Sequence, residues 1–108
     1  MSGDLVTMIP YGKHHVDDDD IKAVVDVLKN KFLTQGPMIE KFEKAICDYV
    51  GAKYAVAVSS GTAALHLSAL ASGVKPGSSI VTSPITFVST ANAAFYCGGD
   101  VHFADIDP

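Results

Sequence analysis

Arginine is absent from this chain: all eight of its basic side chains are lysine. No forked guanidinium is therefore available to grip a phosphate or a carboxylate. Any anion held here relies on backbone N–H groups, hydroxyls or lysine. With a net charge of −4, the chain also lacks the clustered basic surface of a nucleic-acid binder. No Gly-x-x-x-x-Gly-Lys-Ser/Thr phosphate loop and no Gly-x-Gly-x-x-Gly dinucleotide fingerprint occurs. A P-loop nucleotidase and a Rossmann dehydrogenase both lose their support. No apolar stretch reaches the ~20 residues of a membrane span, and no basic segment followed by an apolar run marks a secretory leader. These absences predict a cytoplasmic protein with no nucleic-acid partner and no membrane partner. Cysteine is scarce. Cys47 and Cys97 lie far apart, each in an apolar helical pattern, which reads as two buried thiols in a reducing compartment rather than a disulfide.

Apolar residues are plentiful, at 48% of 108 residues, enough for the interior of a small domain. Four aspartates, Asp17–Asp20, precede Ile21, Val24, Val25, Leu28 and Phe32, whose spacing draws one apolar stripe along a helix. The aspartates suit the positive end of that helix, and Lys29 and Lys31 suit its other end. Consecutive aspartates on a helix point apart, so this run is a poor metal site. Gln35-Gly36-Pro37 breaks the chain before a second helix, with Phe42, Ala45, Ile46 and Tyr49 on one face and Gly51 as its stop. A strand is expected at Tyr54–Val58, a helix at Thr62–Ser72, a strand around Ile80–Thr82, a helix at Phe87–Cys97 and a strand at Val101–Ala104. Strands alternating with helices predict an α/β fold built on a parallel sheet. Residues 1–50 then form an N-terminal helical segment, and residues 51–108 begin an α/β domain. A parallel sheet needs helices on both faces. The pattern stops at Asp105-Ile106-Asp107-Pro108 before that condition is met, so the chain reads as the N-terminal piece of a longer protein.

Ligands of such sheets gather at the carboxyl ends of the strands. One such end is Tyr54–Leu65, YAVAVSSGTAAL, where a strand runs into Ser59-Ser60-Gly61-Thr62 and then into a helix. The first N–H groups of that helix can hold a phosphate, with nearby hydroxyls adding hydrogen bonds. The plainer reading is a strand–helix turn whose Ser or Thr only caps the helix. Ser83–Thr90, SPITFVST, lies at the next strand end and carries Phe87, which serves either as core or as a stacking surface for a flat ring. The four histidines carry less: His14 and His15 adjoin, His66 lies on a helix and His102 in a strand, and no spacing supports a metal site.

Five stretches in order resemble the N-terminal part of the DegT/DnrJ/EryC1/StrS sugar aminotransferases. They are IPYGKH at 9–14, FLTQGP at 32–37, FEKAICDYVGAKYAVAVSSGTAALHL at 42–67, TSPITFVSTANAA at 82–94 and DVHFADIDP at 100–108. The resemblance implies the large domain of a type I aminotransferase, a three-layer α/β/α structure on a mainly parallel sheet, that uses pyridoxal 5′-phosphate. It implies cofactor contacts from Gly61, Thr62 and Ala63 to the phosphate and from Phe87 to the ring. It further implies that Tyr11, Lys31, Phe32, Leu33, Thr34 and Ser60 lie against a nucleotide-sugar. The pairing of FLTQGP with SPITFVSTAN is similar to the branch of the family that aminates C4 of a UDP-linked 4-keto-6-deoxy-N-acetylhexosamine, with L-glutamate as donor, on the way to pseudaminic acid. That branch commonly has Asn-Ser-Gly-Thr where this chain has Ser59-Ser60-Gly61-Thr62. Family members are homodimers. Their cofactor-bonding lysine and the aspartate facing the ring nitrogen lie downstream of the matched region, so the resemblance implies no catalytic residue within these 108 and an inactive isolated segment.

Overall fold

A computed structural model describes residues 12–107. The chain divides into two compact units, one reaching to Ala55 and the other starting at Val56.

In the first unit, the acidic run does more than meet a dipole. The Asp17 carboxylate accepts from the N–H groups of Asp19 and Asp20, and Asp20 Oδ2 accepts from the Asp17 N–H at 3.1 Å. This reciprocal capping box satisfies donors that a helix start leaves open. It opens α1 (Asp18–Asn30), which ends where Lys31 turns to extended backbone. A tight turn follows. Gln35 takes a left-handed φ of 51°, and Gly36 sits so close to the Phe32 carbonyl that a Cβ would collide with it. Pro37 then begins α2 (Pro37–Val50) with a φ already suited to a helix, and left-handed Gly51 ends it.

The second unit contains α3 (Gly61–Ala71), β1 (Ser79–Thr82), α4 (Ser89–Tyr96) and β2 (Asp100–Phe103). β1 and β2 pair in parallel from Ser79↔Asp100 to Thr82↔Phe103, with α4 as the crossover between them. The core of this unit is alanine. Ala69 of α3 and Ala93 and Ala94 of α4 are buried, so short side chains let the two helices and the strands approach closely. Two glycines shape the connections. Gly73, left-handed, closes α3 while the Val74 N–H reaches back to the Ala69 carbonyl at 3.1 Å. Gly99 leads into β2 where a Cβ would stand 3.0 Å from both the Ser78 carbonyl oxygen and Val74 Cγ1.

Three sequence expectations need correction. Tyr54–Val58 forms no ladder with β1 or β2, so the described sheet has two strands rather than three. A strand exists only through its pairing, and local sequence reports the pattern rather than the partner. That pattern is present: Ala55 and Ala57 are half-buried while Tyr54, Val56 and Val58 are exposed. The fourth helix starts at Ser89, not Phe87, which leaves Phe87 in the turn before it. Both cysteines are free thiols and half-buried rather than fully buried. No helix among the described residues is long and apolar enough to cross a membrane.

Candidate functional site

Ser60 begins the site. Its backbone is extended, and its Oγ accepts from the Ala63 N–H at 3.1 Å, while its carbonyl takes the Ala64 N–H at 3.0 Å. The N–H groups of Gly61 and Thr62, the first two of α3, have no acceptor among the described residues. Gly61 stands in open space: a Cβ added there meets nothing within 4 Å, and its φ is not left-handed. Neither packing nor backbone conformation within the described residues calls for glycine. What its missing side chain provides is a clear approach to two unpaired donors at the positive end of a helix. Those donors and the adjoining hydroxyls fit a phosphate.

Thr62 joins this corner to the next loop. Its Oγ1 lies 2.8 Å from Ser89 Oγ, which links the first turns of α3 and α4. Ser89 is 6% exposed, the one buried polar side chain among the described residues. Two positions earlier, Phe87 is 73% exposed. Thr86 and Thr90 support that loop with a hydroxyl contact of 3.3 Å, and the Phe87 carbonyl accepts from the Thr90 N–H. An open cleft of about 470 Å³ is lined by Ser60, Thr62, Ala63, His66 and Tyr96. Its far wall is an edge-to-face pair of His66 and Tyr96 rings with centroids 5.4 Å apart.

Ser60, Gly61, Thr62 and Ala63 thus form one turn, and Phe87 lies two residues before Ser89, the residue that meets Thr62. Ala63 differs in one respect from the expectation: its N–H is occupied by Ser60, leaving Gly61 and Thr62 as the open backbone donors. Lys31, Phe32, Leu33 and Thr34 belong to the first unit, in the turn that Gly36 completes. Phe32 and Leu33 are largely exposed, and Lys31 Nζ lies 3.6 Å from Asp26 Oδ2. Tyr11 lies outside the described residues. Sequence reasoning missed Ser89 and the Lys31–Asp26 pair. Ser89 shares FVSTANAA with the polar Thr90 and Asn92, so the sequence does not single it out. Its partner, 27 residues away, was not visible.

The model of the DegT/DnrJ/EryC1/StrS aminotransferase family matches residues 14–108. The chain is 43% identical over 99 residues to a UDP-4-amino-4,6-dideoxy-N-acetyl-beta-L-altrosamine transaminase of Campylobacter jejuni, covering 92% of this chain and 26% of that protein. Among solved structures it is similar to PseC of Helicobacter pylori, an aminotransferase involved in the biosynthesis of pseudoaminic acid. The TM-score is 0.82 with 37% identity, over 91% of this chain and 27% of that one. It is also similar to NtdA of Bacillus subtilis with the cofactor PMP bound, at a TM-score of 0.74 and 33% identity, over 85% of this chain and 22% of that one. The chain spans about a quarter of the length of the curated relatives it matches.

Proposed function

The chain belongs to the DegT/DnrJ/EryC1/StrS aminotransferase family, and on that footing we propose that it is part of a pyridoxal phosphate-dependent nucleotide-sugar aminotransferase. The amino group passes from L-glutamate to the C4 keto carbon of a UDP-linked 4-keto-6-deoxy-N-acetylhexosamine, within pseudaminic acid biosynthesis. The observation that carries this reading is the family match over residues 14–108, supported by the open N–H groups of Gly61 and Thr62 at the start of α3.

When bound, pyridoxal phosphate supplies an electron sink for breaking bonds at the carbon that bears the amino group. The residues of this chain bind and orient. Gly61 and Thr62 would donate backbone N–H groups to the phosphate, and the Thr62 hydroxyl would add a third hydrogen bond. Ala63 keeps the turn closed through Ser60. Phe87 would stack on the ring. Ser60, accepting from Ala63, would keep its own proton for the nucleotide-sugar; the assignment of Tyr11, Lys31, Phe32, Leu33 and Thr34 to that substrate rests on the family alone. None of these groups moves a proton in the reaction. The covalent lysine and the aspartate facing the ring nitrogen come from elsewhere in a cytoplasmic homodimer.

The reading is tested by incubating the full-length protein, pyridoxal phosphate and L-glutamate with the UDP-linked 4-keto sugar and following 2-oxoglutarate. One 2-oxoglutarate should form per sugar aminated, with the new amino group at C4 by NMR. Amination at C3 would redirect the substrate assignment within the family. Dehydration of the sugar with no 2-oxoglutarate would refute aminotransfer.

A further inference from the structure

We infer that Ser89 is a positioning residue for the cofactor phosphate, donating its proton to Thr62 Oγ1 so that the Thr62 proton faces the anion. This rests on the cofactor reading above.

A hydroxyl has one proton and accepts through its lone pairs, and its rotor is set by its neighbours. The 2.8 Å contact between Thr62 Oγ1 and Ser89 Oγ allows either direction of donation. The two hydroxyls are unequal in their surroundings. Ser89 is buried at 6% exposure, and Thr62 lines the open cleft beside the free N–H groups of α3. A phosphate oxygen offers no proton, so Thr62 reaches it only as donor. Thr62 then has lone pairs, not a proton, left for Ser89. Ser89 must donate, and the proton order runs from Ser89 to Thr62 to the anion. Each bond in such a chain polarises the next. Burial holds Ser89 Oγ within reach of Thr62 Oγ1.

The test uses full-length protein stripped of cofactor and titrated separately with pyridoxal phosphate and with pyridoxal, which lacks the phosphate. Ser89→Ala should weaken pyridoxal phosphate binding about threefold to tenfold, the effect of one hydrogen bond, and leave pyridoxal binding unchanged. In a Thr62→Val background the same substitution should cause no further loss. A loss that is equal for both ligands, or that persists beside Thr62→Val, overturns the inference and leaves Ser89 a packing residue. Wild-type protein that holds pyridoxal phosphate no tighter than pyridoxal would instead refute the cofactor reading itself. If Ser89→Ala does not fold, Ser89→Cys replaces it. Its weakly donating thiol should give the same selective loss, and an unchanged ratio of the two affinities overturns the inference.

Discussion

Ser60 meets two demands with one hydroxyl: its lone pair holds the Ala63 N–H at 3.1 Å, and its proton stays free on the cleft side. Substituting it separates the two. Ser60→Ala removes the cap and should cost about 1 kcal/mol in urea unfolding of the full-length protein. Ser60→Asp keeps a capping oxygen and should preserve that stability. The same variant sets a carboxylate beside the anion position, so it should weaken pyridoxal phosphate binding by roughly tenfold or more. Parallel losses of stability and affinity in both variants would show that Ser60 is a cap alone. Asp26 is the other residue with a measurable signature. Its carboxyl is held below the ordinary value of 3.8, first by the Asn30 amide at 2.7 Å and then by the Lys31 charge. A lowered folded pKa means that the contribution is present above the unfolded value and fades as pH falls through the folded one. NMR titration should place the Asp26 midpoint below 3.8, with Asn30→Ala and Lys31→Met each raising it. A midpoint unmoved by Asn30→Ala would contradict the assignment of causes. Because Asp26 and Lys31 are both exposed, salt weakens the pair.

Among the elements, the turn between α1 and α2 is the most constrained. Gln35 in the left-handed region and a Gly36 with no room for a Cβ explain why FLTQGP reads as it does: the motif folds the chain back against the Phe32 carbonyl. Gly36→Ala should cost about 1–3 kcal/mol by forcing that backbone to shift, while Gln35→Gly should gain up to about 1 kcal/mol by relieving the left-handed strain. Both are read by denaturant melts of the full-length protein, and a neutral Gly36→Ala would refute the close approach. Much of this level was readable in the residues. Asp17–Asp20 announced the start of α1, Gly51 and Gly73 announced helix ends, and the β–α–β order of β1, α4 and β2 followed from alternating patterns. The failures share one cause. Tyr54–Val58 keeps the two-residue alternation of a strand but pairs with neither β1 nor β2, and Ser89 draws its role from Thr62. Pairing and contact across long sequence separations are tertiary facts, and local periodicity does not encode them. The Gly36 collision was hidden for the same reason, since it depends on where the Phe32 carbonyl ends up.

At the scale of the whole molecule, large apolar side chains remain on the surface. Val81 and Phe103 on the strands and Ile85 and Phe87 in the loop between β1 and α4 are more than half exposed. Patches of this kind mark surfaces that meet something else. In the proposed enzyme, Phe87 meets the cofactor ring. The relatives are about four times as long as the matched segment; what the proposed function places within it is the grip on the phosphate. The decisive measurement is a crystal structure of the full-length protein grown with pyridoxal phosphate. The phosphate should sit against the N–H groups of Gly61 and Thr62, with the Thr62 hydroxyl on a phosphate oxygen and the Phe87 ring over the pyridine. A cofactor phosphate bound at any other helix terminus, with the Gly61 and Thr62 donors left to water, would contradict the site proposed for it.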